Sequence, residues 1–264
     1  MRLPLRLLPL GTNGYFPANG RQTMSYLLTT PGAALLLDAG TGLGRLVEPE
    51  IRKHVESLER LDILLTHYHL DHVVGLSFLP GLWTGRAVRI FAPSPPLTQG
   101  GSEALDRLIS PPLFPVGFAR WPLAVEIVPY SGTRLEIGEL TLALRAQKHP
   151  GGSVGVRIDD RLAYVTDTVM DRATATFVEG VGTLLHEVWL TDEEAEMDDA
   201  GRTGHSAAGA VAALAREAKV GRLIPVHHHP RRTVAELDAL AVALAAGAGC
   251  PVELPVEGRP IELG

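Results

Sequence analysis

The sequence predicts an α+β fold in which two β-sheets pack face to face with helices outside. Three observations carry that reading. Short apolar runs of strand length recur in both halves of the 264-residue chain. Strands dominate the first part, and helical stretches stand among the later ones, an order that suits layered sheets. Hydrophobic residues make up 45% of the chain, enough to fill a sizeable core. The length lies within reach of one layered domain, so residues 1–264 are read as a single unit. No internal repeat at a solenoid period is visible.

The elements follow in order. "MRLPLRLLPLG" is apolar but broken by Pro4, Arg6 and Pro9, so it reads as a first strand rather than a secretion signal. Residues 24–38 read as two strands joined by a turn at Pro31-Gly32. Helical spacing with charged faces continues to about Arg60. "LDILLTH" (61–67) is almost wholly apolar, as a strand covered on both sides must be. "DHVVGLSFLP" reads as a helix ending by Pro80, and the Pro, Gly and Ser of 92–122 read as a long loop, or a lid. Then come "LAVEIVPY", "RLEIGELTLALRAQ", "SVGVRID", "LAYVTD" and "TLLHEVWLT" as strands. "SAAGAVAALAREAKV" (206–220) is an Ala-rich helix, with Ser206 as its expected N-cap. "RLIPVHHH" is a strand running into histidines, "VAELDALAVALAAG" a helix ended by Gly247, and "PVELPVEG" and "IEL" late strands.

Composition excludes several roles. A formal charge of −6 argues against a broad nucleic-acid or anionic-membrane surface, which needs Lys and Arg. No run approaches the ~18 apolar residues needed to span a bilayer, and a cytoplasmic location is expected. The one cysteine, Cys250, allows neither an internal disulfide nor a cysteine metal cage.

The chemistry concentrates in "LLTHYHLDHVVG", where His67, His69, Asp71 and His72 fall within six positions. His149, Asp167 and His227 each also follow a short apolar run. Strand ends on one sheet edge converge, so the seven can meet. Imidazole and carboxylate suit zinc, manganese or iron. His67 and His69 alternate, so a turn can aim both at one ion. Asp71 and His72, at the next helix start, would face a second, with Asp167 bridging. Two ions about 3.5–4 Å apart turn a shared water into a nucleophile. An isolated histidine such as His54 reads as a surface or structural group instead.

"THYHLDH" resembles the His-x-His-x-Asp-His signature of the metallo-β-lactamase superfamily. "LGTNGYFPANGRQTMSYLL", "LLDAGTG", "LLHEVWL", "GHSAAGAV" and "VHHHPRR" resemble landmarks of its ribonuclease Z branch. The likeness spans residues 7 to about 232. It implies a four-layer αββα sandwich with two mixed sheets. It implies two divalent ions, zinc first and manganese or iron as alternatives. His67, His69 and His149 would hold one, Asp71, His72 and His227 the other, and Asp167 both. His228 and His229 compete with His227 for the last place. His227 is favoured because it directly follows the strand. Asp38 would support the metal loop by hydrogen bonding. Asp71 also counts among the catalytic groups, with His205 as proton donor and Glu187 orienting it. The helix start after His205 is electropositive, so a charged imidazole there would give up its proton readily. His186 is left outside the catalytic set.

Arg231 and Arg232 read as a solvated basic pair, and the glycines of "HPGGSVG" as a turn. Two divalent ions outweigh Asp71, Asp167 and a hydroxide by roughly one charge, which favours an anionic substrate. Ribonuclease Z proteins that mature transfer RNA carry a long arm between the third histidine and the bridging aspartate. Here His149 and Asp167 are 18 positions apart, room for a hairpin only. The expectation is therefore a dinuclear phosphodiesterase acting on small or cyclic phosphodiesters, with large nucleic acids disfavoured. A lactone or thioester hydrolase, a ribonuclease Z-like RNA endonuclease and a non-catalytic metal-binding module are the alternatives. A homodimer is implied by the resemblance alone.

Overall fold

The computed structural model describes residues 4–197 and 203–263. Among them one sheet holds seven strands. These are β1 (Leu5–Gly11), β2 (Ser25–Thr30), β3 (Ala33–Leu37), β4 (Arg60–Leu64), β5 (Ala87–Pro93), β6 (Ala124–Tyr130) and β13 (Ile261–Leu263). Their spatial order is β13-β1-β2-β3-β4-β5-β6. The second sheet holds β7 (Arg134–Ile137), β8 (Leu140–Gln147), β9 (Ser153–Ile158), β10 (Leu162–Val165), β11 (Thr183–Glu187) and β12 (Leu223–Val226), in the order β12-β11-β10-β9-β8-β7. Each sheet is mixed: β3 to β6 are parallel neighbours, as are β10 to β12, and the remaining pairs are antiparallel.

Three separate apolar cores define the layers. Leu7, Tyr26, Leu37, Leu142, Val156, Tyr164 and Ile224 are packed together between the sheets. Leu8, Leu36, Ile63, Ile90, Leu76 and Trp83 cover the outer face of the larger sheet with short helices. Val165, Leu184 and Leu223 meet α5 (Arg172–Val178), α7 (Ala208–Glu217) and α8 (Val234–Ala248) on the far side of the smaller one. The order helix, sheet, sheet, helix is the predicted sandwich. β4 is buried through both faces, as its almost wholly apolar run required, while β5, which is largely buried too, had no counterpart in the sequence reading.

Several local expectations are revised. The stretch to Arg60 is not one helix but a 3-10 turn over Thr41–Val47 and a four-residue α1 (Pro49–Arg52). After the histidine motif, α2 (Leu70–Val73) passes through a 3-10 segment into α3 (Leu79–Leu82), with Pro80 in the first turn of α3 rather than at a helix end. That position suits proline, whose missing N–H would be unpaired there anyway. Segment 94–123 is partly ordered by α4 (Glu103–Leu108) and anchored by Leu105, Ile109 and Trp121. α5 and the acidic α6 (Asp192–Met197) had no counterpart in the sequence reading. α8 ends at Gly249, whose φ of 68° is the left-handed cap, and not at Gly247. "PVELPVEG" is an irregular run with one bridge, Val252 to Leu223, and not a strand.

Candidate metal centre

All the predicted ligands lie beyond the C-terminal ends of strands, from both sheets. β4 leads to His67 and His69, and its continuation as α2 carries Asp71 and His72. β8 leads to His149, β10 to Asp167, β11 to Glu187 and β12 to His227. Asp38, Asp167 and His227 all have φ between 50° and 57°. Left-handed backbone at three such non-glycine residues is sparsely populated and costs on the order of 1 kcal/mol or more each. It turns each side chain sharply inward as its strand ends.

The donor atoms fall into two groups. His67, His69 and His149 cluster with Asp167, and Asp71 and His72 with His227. Asp167 divides between them. Its Oδ2 lies 3.4 Å from His149 Nε2 and 3.7 Å from His67 Nε2. Its Oδ1 lies 3.2 Å from both His72 Nε2 and His227 Nε2. Asp71 Oδ2 is 3.3 Å from His227 Nε2 and 3.5 Å from His72 Nε2. His69 Nδ1 and His149 Nε2 face each other at 3.1 Å.

The outer ring nitrogens are held by other groups. His72 Nδ1 pairs with Asp38 Oδ2 at 2.9 Å, and Asp38 also accepts from the Thr66 amide at 2.7 Å and the Tyr164 hydroxyl at 2.8 Å. His149 Nδ1 meets the Gly204 carbonyl at 3.0 Å, and His67 Nδ1 the Thr66 hydroxyl at 3.0 Å. These contacts leave the inner nitrogens free, and Nε2 of His67 and of His72 are buried without a partner of hydrogen-bond geometry. Buried polar atoms without partners are rare. Cation binding among these oxygens and nitrogens would satisfy them, and the donor set of imidazoles and carboxylates fits a metal site.

Charge follows the same division. Burial, joined by the neighbouring imidazoles, holds His67 well below its ordinary value. Burial likewise lowers His69 and His149. These are neutral imidazoles, the form that ligates metal. His72 is also buried, but Asp167, Asp71 and Asp38 outweigh burial and raise it well above its ordinary value. Burial opposes ionisation of Asp167 and Asp71 too, yet the surrounding histidines hold both below the usual carboxylate range.

His205 stands beside the second group, its donor atoms close to those of Asp167 and His227. Its Nδ1 bonds Glu187 Oε2 at 2.7 Å, and Glu187 Oε1 accepts from the Thr168 amide. Burial lowers the charge on His205, but Glu187 outweighs it and raises the imidazole to about 9. The expected influence of a helix start is thus overturned: α7 begins at Ala208, and a carboxylate stabilises the cation. Ser206 does not cap that helix; Ala207 occupies the cap position, and the Ser206 hydroxyl donates to the Thr168 carbonyl. His186 is buried on the opposite side of β11, its Nδ1 on the Glu187 carbonyl. His228 is buried away from the cluster, lowered to about 3 by burial and Arg21. His229 stacks edge-on against Trp189. His227 alone of the triplet reaches the cluster.

Three contributors were not foreseen. Trp189 stacks on His205 with centroids 4.6 Å apart and planes at 20°. The period-2 spacing from Glu187 could have revealed it, since residues two apart share a strand face. A Cβ on Gly14 would sit 2.2 Å from His227 Cε1, so only glycine leaves room for that ring. The Tyr15 amide donates to Asp71 Oδ2 at 2.6 Å. No local sequence signal announces either loop contact.

Comparison with known proteins agrees with this architecture. Residues 34–228 match the model of the Beta-lactamase superfamily domain. The chain belongs to the metallo-β-lactamase superfamily. Several of its relatives are ribonuclease Z proteins. Ribonuclease Z of Metallosphaera sedula is 27% identical over 83% of this chain and 86% of its own. The chain spans about half the length of two further ribonuclease Z relatives, 46% and 48%, at 32% and 31% identity. Among solved structures, the metallo-β-lactamase fold protein YhfI from Bacillus subtilis superposes with a TM-score of 0.77 at 21% identity, covering 99% of this chain and 100% of that one. A diphosphatase of the PhnP family follows at 0.71 and 18%, covering 98% of each. These structural likenesses establish the metallo-β-lactamase fold. No helix among the described residues is long and apolar enough to cross a membrane.

Proposed function

We propose that this chain is a dinuclear metal-dependent hydrolase, a phosphodiesterase acting on small-molecule or cyclic phosphodiesters. One observation carries the reading: the two oxygens of Asp167 face two separate histidine groups. His67, His69 and His149 with Asp167 Oδ2 would hold one ion. Asp71, His72 and His227 with Asp167 Oδ1 would hold the other. Two divalent ions there would supply Lewis-acid polarisation and a solvent nucleophile at neutral pH. Asp38, Thr66 and Gly204 fix the imidazole planes. Glu187 binds His205 Nδ1, so the opposite nitrogen carries the proton to be donated to the leaving oxygen. The family resemblance contributes that donor role, and the Glu187 contact supports it.

The names of the relatives favour a second reading, cleavage of RNA. Against it stand the acidic charge and the turn between His149 and Asp167, where β9 and β10 form a short hairpin. Metal analysis of the purified protein, with parallel assays on bis(p-nitrophenyl) phosphate, a lactone panel and a precursor transfer RNA, separates the readings. About two equivalents of metal with diester hydrolysis alone is the expected result. Lactone or transfer-RNA cleavage without diester turnover overturns it.

A further inference from the structure

Large apolar side chains left in water are informative when they gather beside a site. Tyr15 is 72% exposed, Leu70 65% and Phe16 41%. Leu70 belongs to a segment that carries candidate ligands, and Tyr15 and Phe16 to a loop that touches that cluster. Leu70 lies between His69 and Asp71 in the chain, and the Tyr15 amide is bonded to Asp71 Oδ2 at 2.6 Å. The preceding Gly14 packs against the His227 ring. The aromatic pair is therefore sewn by its backbone to two groups of one half of the centre. The rings of Tyr15 and Phe16 meet edge to face at 5.1 Å. Tyr15 has φ of 64°, a strained conformation for an aromatic residue. Such strain persists where the surroundings over-determine it, and it clusters at ligand clamps. Held this way, the rings turn away from the core that aromatic residues ordinarily fill.

Resting on the phosphodiesterase reading, we infer that Tyr15 and Phe16 are the specificity platform of this site, taking a planar aromatic group carried by the phosphate ester. The group is a nucleobase or an aryl ring, and the shared chemistry is stacking. A ring has no charge requirement, which accords with a chain of net charge −6. Base stacking on an aromatic side chain is sequence-tolerant and strong enough to change affinity about tenfold.

The test measures equilibrium binding, so it stands whether or not esters are hydrolysed. Metal-loaded wild-type protein and the double variant Tyr15→Asn, Phe16→Ala are titrated with thymidine 5′-monophosphate, phenyl phosphate and methyl phosphate. Asparagine tolerates the left-handed backbone at position 15 and keeps the amide to Asp71. Equal metal content and melting temperature confirm that the variant retains its fold. The expected result is a preference of about tenfold for at least one aromatic ester over methyl phosphate, collapsing to near one in the variant. Preference for the nucleotide assigns a base, and preference for phenyl phosphate assigns an aryl ester. Equal binding of all three by wild type, or a preference that survives in the variant, overturns the inference. Failure of the hydrolase reading appears separately, as diester assays without turnover.

Discussion

Replacing Glu187 by Gln isolates a charge while keeping its shape. Glu187 is fully buried, with one oxygen on the Thr168 amide and the other 2.7 Å from His205 Nδ1. A glutamine can still accept from Thr168 and donate to a neutral imidazole. What disappears is the anion that raises His205 to about 9 despite burial. Against an unfolded value near 6.5, that rise corresponds to about 3 kcal/mol at 1.36 kcal/mol per pKa unit. Because the folded value is the higher one, the stabilisation is complete below about pH 6.5 and fades as pH climbs through about 9. In chelator-treated protein, the variant should therefore melt about 5–10 °C below wild type at pH 6. The gap should close by about pH 10. Thermal unfolding followed by circular dichroism across this range measures both. A deficit of equal size at pH 6 and pH 10 would refute the charge argument, and no deficit at pH 6 would refute the pairing itself.

Other substitutions test the centre directly. His205→Ala should lower kcat on a phosphodiester by about 10²–10⁴ while leaving metal content intact, as checked by steady-state kinetics and elemental analysis. Parallel loss of metal would contradict a donor role. Gly14→Ala places a methyl 2.2 Å from His227 Cε1, so the ring must move. We expect loss of about one metal equivalent of two by elemental analysis, with the partner ion retained. Adding zinc to metal-free protein at a hundredfold excess over its dissociation constant should raise stability by about 3 kcal/mol, visible as a concentration-dependent melting temperature. Zinc-independent melting would argue that the histidine cluster is not a metal site.

The strand framework was legible because apolar runs of strand length are bounded by glycine, proline or the ligands themselves. β4 illustrates this: its burial on both faces and the histidines just past its end are two signals in one segment. The cluster of candidate ligands was legible for the same reason, since His67, His149, Asp167 and His227 each follow such a run. What sequence could not convey depends on approach between distant segments. Nothing local distinguishes His227 from His228 and His229. The pairing of Glu187 with Val226 and the left-handed turn at His227 decide which ring points inward. Ser206 carries every mark of a cap, yet its hydroxyl finds Thr168 instead. In the Ala-rich α8, Gly247 and Gly249 are equivalent by composition, and only the backbone angle at Gly249 fixes the end. Gly14 and Tyr15 acquire meaning solely from the imidazole and carboxylate that the fold brings to them.

The larger sheet supplies His67, His69, Asp71 and His72, while the smaller one supplies His149, Asp167 and His227. Cations seated there would rivet one sheet to the other along a single rim. Metal supply would then govern how easily the two slabs shear apart, making mechanical integrity and chemical competence rise and fall together.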